Sequence, residues 1–171
     1  PGGRWVAASA APRGIRLADL QSDDPPRVLT NHATDQSVTF DAKGQALLFL
    51  REVDGRPVVH RLALAGGDAA PYLEPGSRDP NVRSDGRIVY LRGDTDKMLA
   101  PTLYDPRTGA RAPLSRALPP GPYARPTFSP DGKKVAIVRA GTEVIEVDVA
   151  TGAVVRRFEH DGDQIVRIVY S

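Results

Sequence analysis

Two short polar segments repeat the same order of residues: a histidine, two intervening positions, then aspartate and glutamine. One begins at His32 and the other at His160. An imidazole and a carboxylate at this spacing can ligate a metal, or they can hydrogen-bond the backbone of their own loop. Metal sites need three or four converging ligands, and the pattern occurs only twice. We therefore interpret both segments as braced loops, expect no metal and no cofactor, and expect His60, within a strand-like pattern, to be packed or on the surface.

Three aspartates, Asp41, Asp85 and Asp131, resemble the separated carboxylates of a hydrolase at first sight. Each lies in or beside a turn, where an aspartate side chain accepts hydrogen bonds from the turn's own backbone. The chain contains no Gly-x-Ser-x-Gly elbow, no phosphate-binding glycine loop and no His-Glu-x-x-His motif, and it has no cysteine. Asp94-Thr95-Asp96 begins like a calcium loop but lacks the glycine and glutamate that complete one, so it is interpreted as a hairpin loop. We predict a protein that is not an enzyme.

The charge and composition exclude two classes of partner. Basic residues number 23 and acidic residues 21, scattered without long runs, and the net charge is +2. A local arginine stretch (Arg78, Arg83, Arg87, Arg92) lacks the interleaved aromatics of a nucleic-acid groove. No apolar run approaches the roughly 18 residues of a membrane span. We expect no nucleic-acid partner and no membrane insertion, and the 16 glycines and 16 prolines indicate an all-β chain rich in turns.

The elements that would position these residues are repeated hairpins. Phe128-Ser129-Pro130-Asp131-Gly132 joins two strand-like runs, and Asp-Gly at such a junction is a strong hairpin signal. The same turn recurs in looser form, and its glycines, 41, 42 and 46 residues apart, are Gly3, Gly44, Gly86 and Gly132. Intervals of about 40–45 residues are typical of a four-stranded propeller blade. We predict an all-β propeller of about four four-stranded antiparallel blades, as one domain or half-propeller over 1–171, with repeats at about 1–40, 41–83, 84–128 and 129–171.

The last repeat resembles that of the TolB-like propellers, also called PD40 or WD40-like repeats. The similarity lies in residues 125–137, which read Arg-Pro-Thr-Phe-Ser-Pro-Asp-Gly-Lys-Lys-Val-Ala-Ile, and in residues 145–152. The other repeats match more loosely, since Asp41-Ala42-Lys43-Gly44 departs from Ser-Pro-Asp-Gly. The resemblance implies the propeller fold and a bacterial, often periplasmic or extracytoplasmic, protein. The residues themselves leave the compartment unknown.

The two ends of the chain are complementary in sequence. Read head to tail, Tyr170-Ser171 followed by Pro1-Gly2-Gly3 restores the hairpin motif. We therefore predict that the first blade is split, with residues 164–170 supplying its innermost strand. That strand completes the blade of its own chain, giving a four-bladed ring, or that of a second copy, giving a larger ring shared by a homodimer. The remaining alternative is an excerpt of a longer propeller.

The loops that lead into the innermost strands are the best candidates for a contact surface. Arginine and tyrosine are favoured anchors in protein interfaces. The candidate residues are Asp35, Gln36, Arg78, Asp79, Tyr123, Arg125, Asp163 and Gln164. We predict a non-enzymatic module that binds a protein or peptide through this face, or that serves as an assembly scaffold. The alternative is the propeller portion of a larger enzyme, such as a prolyl-oligopeptidase-like serine peptidase whose catalytic domain lies outside this chain.

Overall fold

A computed structural model describes residues 3–9, 12–162, 164–165 and 168–170, and these contain strands and turns without a helix. Fifteen strands are assigned: β1 (Trp5–Ser9), β2 (Ile15–Asp19), β3 (Arg27–Val28), β4 (Gln36–Phe40), β5 (Ala46–Val53), β6 (Arg56–Ala63), β7 (Ala70–Pro71), β8 (Ser77–Val82), β9 (Ile88–Arg92), β10 (Ala100–Asp105), β11 (Ala110–Pro113), β12 (Tyr123–Phe128), β13 (Lys134–Arg139), β14 (Glu143–Asp148) and β15 (Val154–Glu159). Nothing helical in the described ranges has the length and hydropathy that a bilayer crossing needs.

The strands form four sheets in which neighbours along the chain are neighbours in the sheet. The first sheet has three strands in the order β1-β2-β3, and the other three have four each: β4–β7, β8–β11 and β12–β15. The pairings between consecutive strands are antiparallel. The predicted all-β chain of four repeated antiparallel sheets is therefore confirmed.

The chain divides into two compact units, Pro1–Arg78 and Asp79–Ser171. The first unit contains the first two sheets, and its core is built on Ile15, Leu47, Phe49 and Leu62. The second unit contains the last two sheets, with β8 beginning two residues before the division. Its core includes buried residues from β12, β13 and β14 of the fourth sheet. β15 contributes the half-buried Val154, which packs against that core. Near-continuous apolar runs such as Val135–Val138 are buried throughout, as expected for strands covered on both faces.

The hairpin turns that define the repeat share one geometry. In each, the turn glycine donates its N–H to the carbonyl three residues earlier: Gly44 to Asp41 at 3.0 Å, Gly86 to Arg83 at 2.9 Å and Gly132 to Ser129 at 2.8 Å. The aspartate carboxylates accept backbone N–H groups of the same turns, at 2.8 Å from Gln45, 3.1 Å from Arg87 and 3.0 Å from Lys133. These aspartates therefore stabilise turns, as the sequence predicts.

The innermost strand of the last three sheets contains a left-handed residue at a constant position. Ser37, Asp79 and Arg125 have φ of 54°, 49° and 54°, and each precedes its turn glycine by seven residues. In β4 and β12 this residue lies within a register shift against the next strand. A residue with positive φ inside a strand marks a bulge, which bends the strand and changes the direction of its side chains.

The chain enters each innermost strand by a similar route. A backbone hydrogen bond ties the segment after the outermost strand to the start of the strand before it, or to the turn just before that strand. The donors and acceptors are Leu29 to Ile15 at 2.9 Å, Gly76 to Pro57 at 2.7 Å, Gly121 to Leu99 at 3.0 Å and Ile165 to Gly141 at 2.7 Å. The segment after β15 thus begins along the path that leads to β4, β8 and β12.

The predicted strand at 164–170 falls partly outside the described residues. Gln164, Ile165 and residues 168–170 are described without a strand assignment. The pairing of this segment with the first sheet, and with it the split blade, remains a prediction.

Candidate functional site

The candidate contact residues lie at the loop end of the sheets, which we define as the end where the chain enters the innermost strands. The hairpin end is the opposite one, with the turns at Gly44, Gly86 and Gly132. Because the two units are compact bodies of their own, the loop end of each is described separately.

In the first unit, Asp35 is fully buried and does not contribute a contact surface. Its carboxylate receives two hydrogen bonds from Arg51, at 2.7 and 2.8 Å, and this bonding raises the pKa of the guanidinium. Arg51 also lies over the ring of Phe49, 5.5 Å from its centroid. The predicted surface position of Asp35 is wrong, because Arg51, 16 residues later in β5, draws the carboxylate inward.

His32 braces the same loop. Its Nδ1 lies 3.0 Å from the Thr34 hydroxyl and 3.9 Å from the nearer Asp35 oxygen. Gln36 and Ser37, by contrast, are exposed. The loop end of the first unit therefore offers these two side chains above a buried ion pair.

In the second unit, the innermost strands β8 and β12 are connected by side chains. The Asp79 carboxylate accepts the backbone N–H of Arg125 at 3.3 Å, and the Asn81 side-chain oxygen accepts that of Phe128 at 3.0 Å. These bonds satisfy donors on the edge of β12 that does not pair with β13. They also fix the bulge at Arg125, whose side chain extends into solvent.

Arg125 and Gln164 are the exposed members of the candidate set in this unit. Within the described residues, the Arg125 guanidinium makes no ion pair. Gln164 lies beside Gly141, in the segment held by the bond from Ile165 to Gly141. Both side chains are thus attached to backbone that is fixed by hydrogen bonds while their polar ends remain accessible.

Tyr123, which the sequence predicts to be an exposed anchor, is instead part of the core. It is 4% exposed and its hydroxyl donates to the Pro119 carbonyl at 3.0 Å. Burial raises the pKa of this phenol. The physical reason is that the 118–122 loop folds back and supplies a carbonyl for the hydroxyl, so the ring can enter the core without an unpaired polar atom.

The remaining candidates are Arg78 and Asp79, both partly buried in β8, and Asp163, which lies outside the described residues. His160 holds its loop through its backbone, donating to the Thr142 carbonyl at 2.9 Å. Among the residues that the structure describes, no three histidine, aspartate or glutamate side chains converge as a metal site would require.

Sequence reasoning missed two residues that organise the loop end. They are Arg51, which holds Asp35, and Asn81, which bonds to Phe128. The sequence does contain a signal for Asn81. Two residues after each left-handed residue the chain has a polar side chain, namely Thr39, Asn81 and Thr127. Aligned by the turn glycine, these positions are polar in all three repeats.

At the hairpin end of the second unit, a cleft of about 540 Å³ separates the turns of the third and fourth sheets. Its charged lining comprises Arg83, Arg87, Lys133, Asp85, Asp131 and Asp148. Each carboxylate is already bonded, and its pKa is lowered: Asp85 chiefly by Arg83, Asp131 by the Ser129 hydroxyl and Asp148 by Thr151. General acid–base catalysis near neutral pH needs a carboxyl pKa shifted upward, and here the shifts run the other way.

No model of a protein family matches the chain, and no curated protein sequence matches it. Solved structures do. TolB from Acinetobacter baumannii superimposes with a TM-score of 0.68 at 23% identity, over 88% of this chain and 40% of that one. A structure described as a TolB of Agrobacterium tumefaciens gives 0.74 at 17% identity, over 95% and 59%. A puromycin-hydrolyzing peptidase from Mycobacterium tuberculosis gives 0.66 at 19% identity, over 98% and 29%.

Identities below 25% establish the fold and leave the activity open. The chain spans 40% and 59% of the length of the two TolB structures that it matches. The four repeated sheets, the recurring hairpin turn and these superpositions agree with one another. The chain has the TolB-like β-propeller fold that its last repeat predicts.

Proposed function

We propose that this chain is a non-enzymatic propeller module that binds a protein or peptide through the loop end of its second unit. The observation that supports the proposal is the bulge at Arg125, where positive φ is combined with an exposed arginine on fixed backbone. The same bulge recurs at Ser37 and Asp79, and at Arg125 it bears an exposed arginine. Bulges change the direction of a side chain and are over-represented next to functional sites. Arginine is also among the residues that most often dominate binding energy.

The chemistry of the loop end favours recognition of an acidic or carbonyl-rich segment. The Arg125 guanidinium can donate up to five hydrogen bonds. Gln164 can both donate and accept. Since the backbone beneath both residues is tied to neighbouring strands or turns, little backbone entropy is lost when a partner binds. In the first unit, Gln36 is the exposed candidate at the corresponding end.

Selection from a random peptide library displayed on phage tests this proposal without knowledge of the natural partner. Peptides enriched on the immobilised protein should lose binding to Arg125→Glu and retain binding to Lys133→Glu. The two variants make the same change of charge at exposed sites, and Lys133 lies at the hairpin end. Both should melt close to the unchanged protein. Enriched peptides that bind both variants equally would exclude the loop end of the second unit as the site.

The second candidate function is the propeller portion of a larger enzyme. Its support is the superposition on the puromycin-hydrolyzing peptidase, which includes nearly all of this chain and 29% of the peptidase. Under this proposal the chain alone should not hydrolyse aminoacyl-4-nitroanilide substrates. Turnover that follows the chain through purification and is lost with its fold would contradict both candidates as stated.

A further inference from the structure

The outermost strand of the fourth sheet differs from the three other outermost strands. β3 and β7 have two residues each and β11 has four, and β7 and β11 both end in proline. Short length and proline are the usual means of preventing an edge from pairing with another strand. β15 has six residues and no proline. Among the described residues, no strand pairs with its outer edge.

The backbone of β15 presents unpaired groups at this edge. His160 donates to Thr142, and the register pairs Val144 with Phe158 and Glu146 with Arg156. Hydrogen-bonded and non-bonded pairs alternate along an antiparallel ladder. The N–H and C=O groups of Arg157 and Glu159 therefore point away from β14, toward the open edge. An added strand forms its hydrogen bonds with the N–H and C=O groups of every second residue, and residues 157 and 159 provide two such positions.

The side chains of β15 add apolar area and positive charge. Val155 and Phe158 are 50% and 48% exposed, large values for apolar residues within a strand. Arg156 lies over the Phe158 ring, 5.6 Å from its centroid, and forms no ion pair within the described part of the chain. Glu143 is shared between Arg157 at 2.7 Å and Arg139 at 3.4 Å, and Glu159 lies opposite Glu143 in the register. The positive charge left over on the strand is therefore that of Arg156.

We propose that the outer edge of β15 binds an extended acidic segment of another protein by adding it as a fifth strand to the fourth sheet. Main-chain bonds to residues 157 and 159 provide the pairing. Arg156 and Phe158 are two residues apart and share one face of the sheet, so the segment places an acidic and an apolar side chain, also two residues apart, against them. This surface is the outer edge of the fourth sheet and includes neither Arg125 nor Gln164, so the proposal does not depend on the function proposed above.

The test uses a fluorescein-labelled peptide that repeats Thr-Val-Thr-Glu, so that valine and glutamate alternate on one face of the added strand. Its binding to the whole chain is followed by fluorescence anisotropy. Arg157→Pro and Arg157→Ala both lose the side-chain bond to Glu143, and proline alone also removes an N–H that faces the open edge. Binding should therefore be about tenfold or more weaker in Arg157→Pro than in Arg157→Ala. The same peptide N-methylated at alternate residues should also fail to bind. That second measurement leaves the protein unchanged, so it stands even if the proline variant is unstable.

Charge and location are tested separately. Arg156→Glu should reverse the preference, from the glutamate peptide to the same peptide with lysine in place of glutamate. Lys43→Glu, the same change of charge at an exposed turn of the first unit, should bind the glutamate peptide as the unchanged protein does. Full binding of the N-methylated peptide, or loss of binding in Lys43→Glu, would overturn the proposal. So would self-association through β15, seen as a doubled mass by light scattering that Arg157→Pro abolishes.

Discussion

At the scale of single residues, polar groups in this protein are held by specific partners. The Asp35 carboxylate has no exposed surface, and its two bonds to Arg51 compensate for the loss of water. Removing one member of a fully buried ion pair leaves the other charge without compensation, which costs about 3–5 kcal/mol, and the 19% exposure of the Arg51 side chain keeps the cost here at the lower end of that range. Replacing both members with apolar groups avoids that cost.

We therefore expect Asp35→Ala to lower the free energy of unfolding by about 3 kcal/mol, measured by urea denaturation. The double variant Asp35→Ala, Arg51→Met should recover most of this loss, because no unpaired charge remains. A double variant that is less stable than Asp35→Ala alone would show that Arg51 contributes through other contacts, such as that with Phe49.

Asp105 makes the stability of the second unit dependent on pH. Bonds from Arg107, and from Arg87 at 3.1 Å, lower its pKa from 3.8 to about 2. A carboxyl whose pKa is lower in the folded state stabilises the fold fully above its unfolded pKa, and this contribution disappears as pH falls through the folded value. Asp105→Asn should therefore be less stable than the unchanged protein at neutral pH. The difference, followed by urea denaturation, should shrink between about pH 4 and pH 2; a difference that is constant over this range would contradict the assignment.

At the scale of elements, a turn glycine can be required both by the local backbone conformation and by the packing of the neighbouring sheet. Gly132 has φ of +69°, and a Cβ there would lie 2.5 Å from Cδ of Arg83. Arg83 itself donates to the Gly132 carbonyl at 2.9 Å and forms a bidentate pair with Asp85. This turn glycine therefore serves both the local conformation and the close approach of two sheets.

Gly132→Ala and Gly109→Ala separate these two contributions. Gly109 has φ of +72°, and a Cβ added to it would have no neighbour within 4 Å, so its substitution should cost about 1 kcal/mol of stability from strain alone. Gly132→Ala should cost clearly more, and Arg83→Ala introduced beside it should recover part of the difference. Equal losses in the two single variants, measured by urea denaturation, would mean that Arg83 moves aside without cost.

The sequence predicts the hairpins and their strands because Asp-Gly and isolated glycines separate the apolar runs. This signal depends only on residues that are adjacent in the chain. It does not predict the left-handed residues at Ser37, Asp79 and Arg125, because none is a glycine and the bulge arises from pairing with the next strand. For Tyr123 and Asp35 it predicts a surface position, since both belong to the loops that lead into the innermost strands. Their burial depends on the Pro119 carbonyl and on Arg51, which only the folded chain brings near.

At the scale of the whole molecule, the repeats are equivalent except for the first sheet. The last three sheets each have a strand before their hairpin turn, and the first has only β1, β2 and β3 among the described residues. β9, the second strand of the third sheet, contacts β12, the innermost strand of the next sheet. β1 contacts the innermost strand β4 in the same way, so β1 corresponds to the second strand of a four-stranded sheet. The first position is thus open to a strand, and the chain beyond β15 starts along the path of an innermost strand.

We expect two copies to complete each other's first sheet, because a closed propeller of only four blades requires strong curvature. Light scattering on a size-exclusion column, at several concentrations, should then give twice the mass of one chain. Val169→Pro should lower that mass to one chain. Read head to tail, Val169 corresponds to Thr127, which pairs with Ala136 in the next strand, so proline there should remove a ladder bond. An unchanged protein that is monomeric at every concentration and unfolds in one cooperative transition would contradict the dimer. It would favour a chain that pairs residues 164–170 with its own β1.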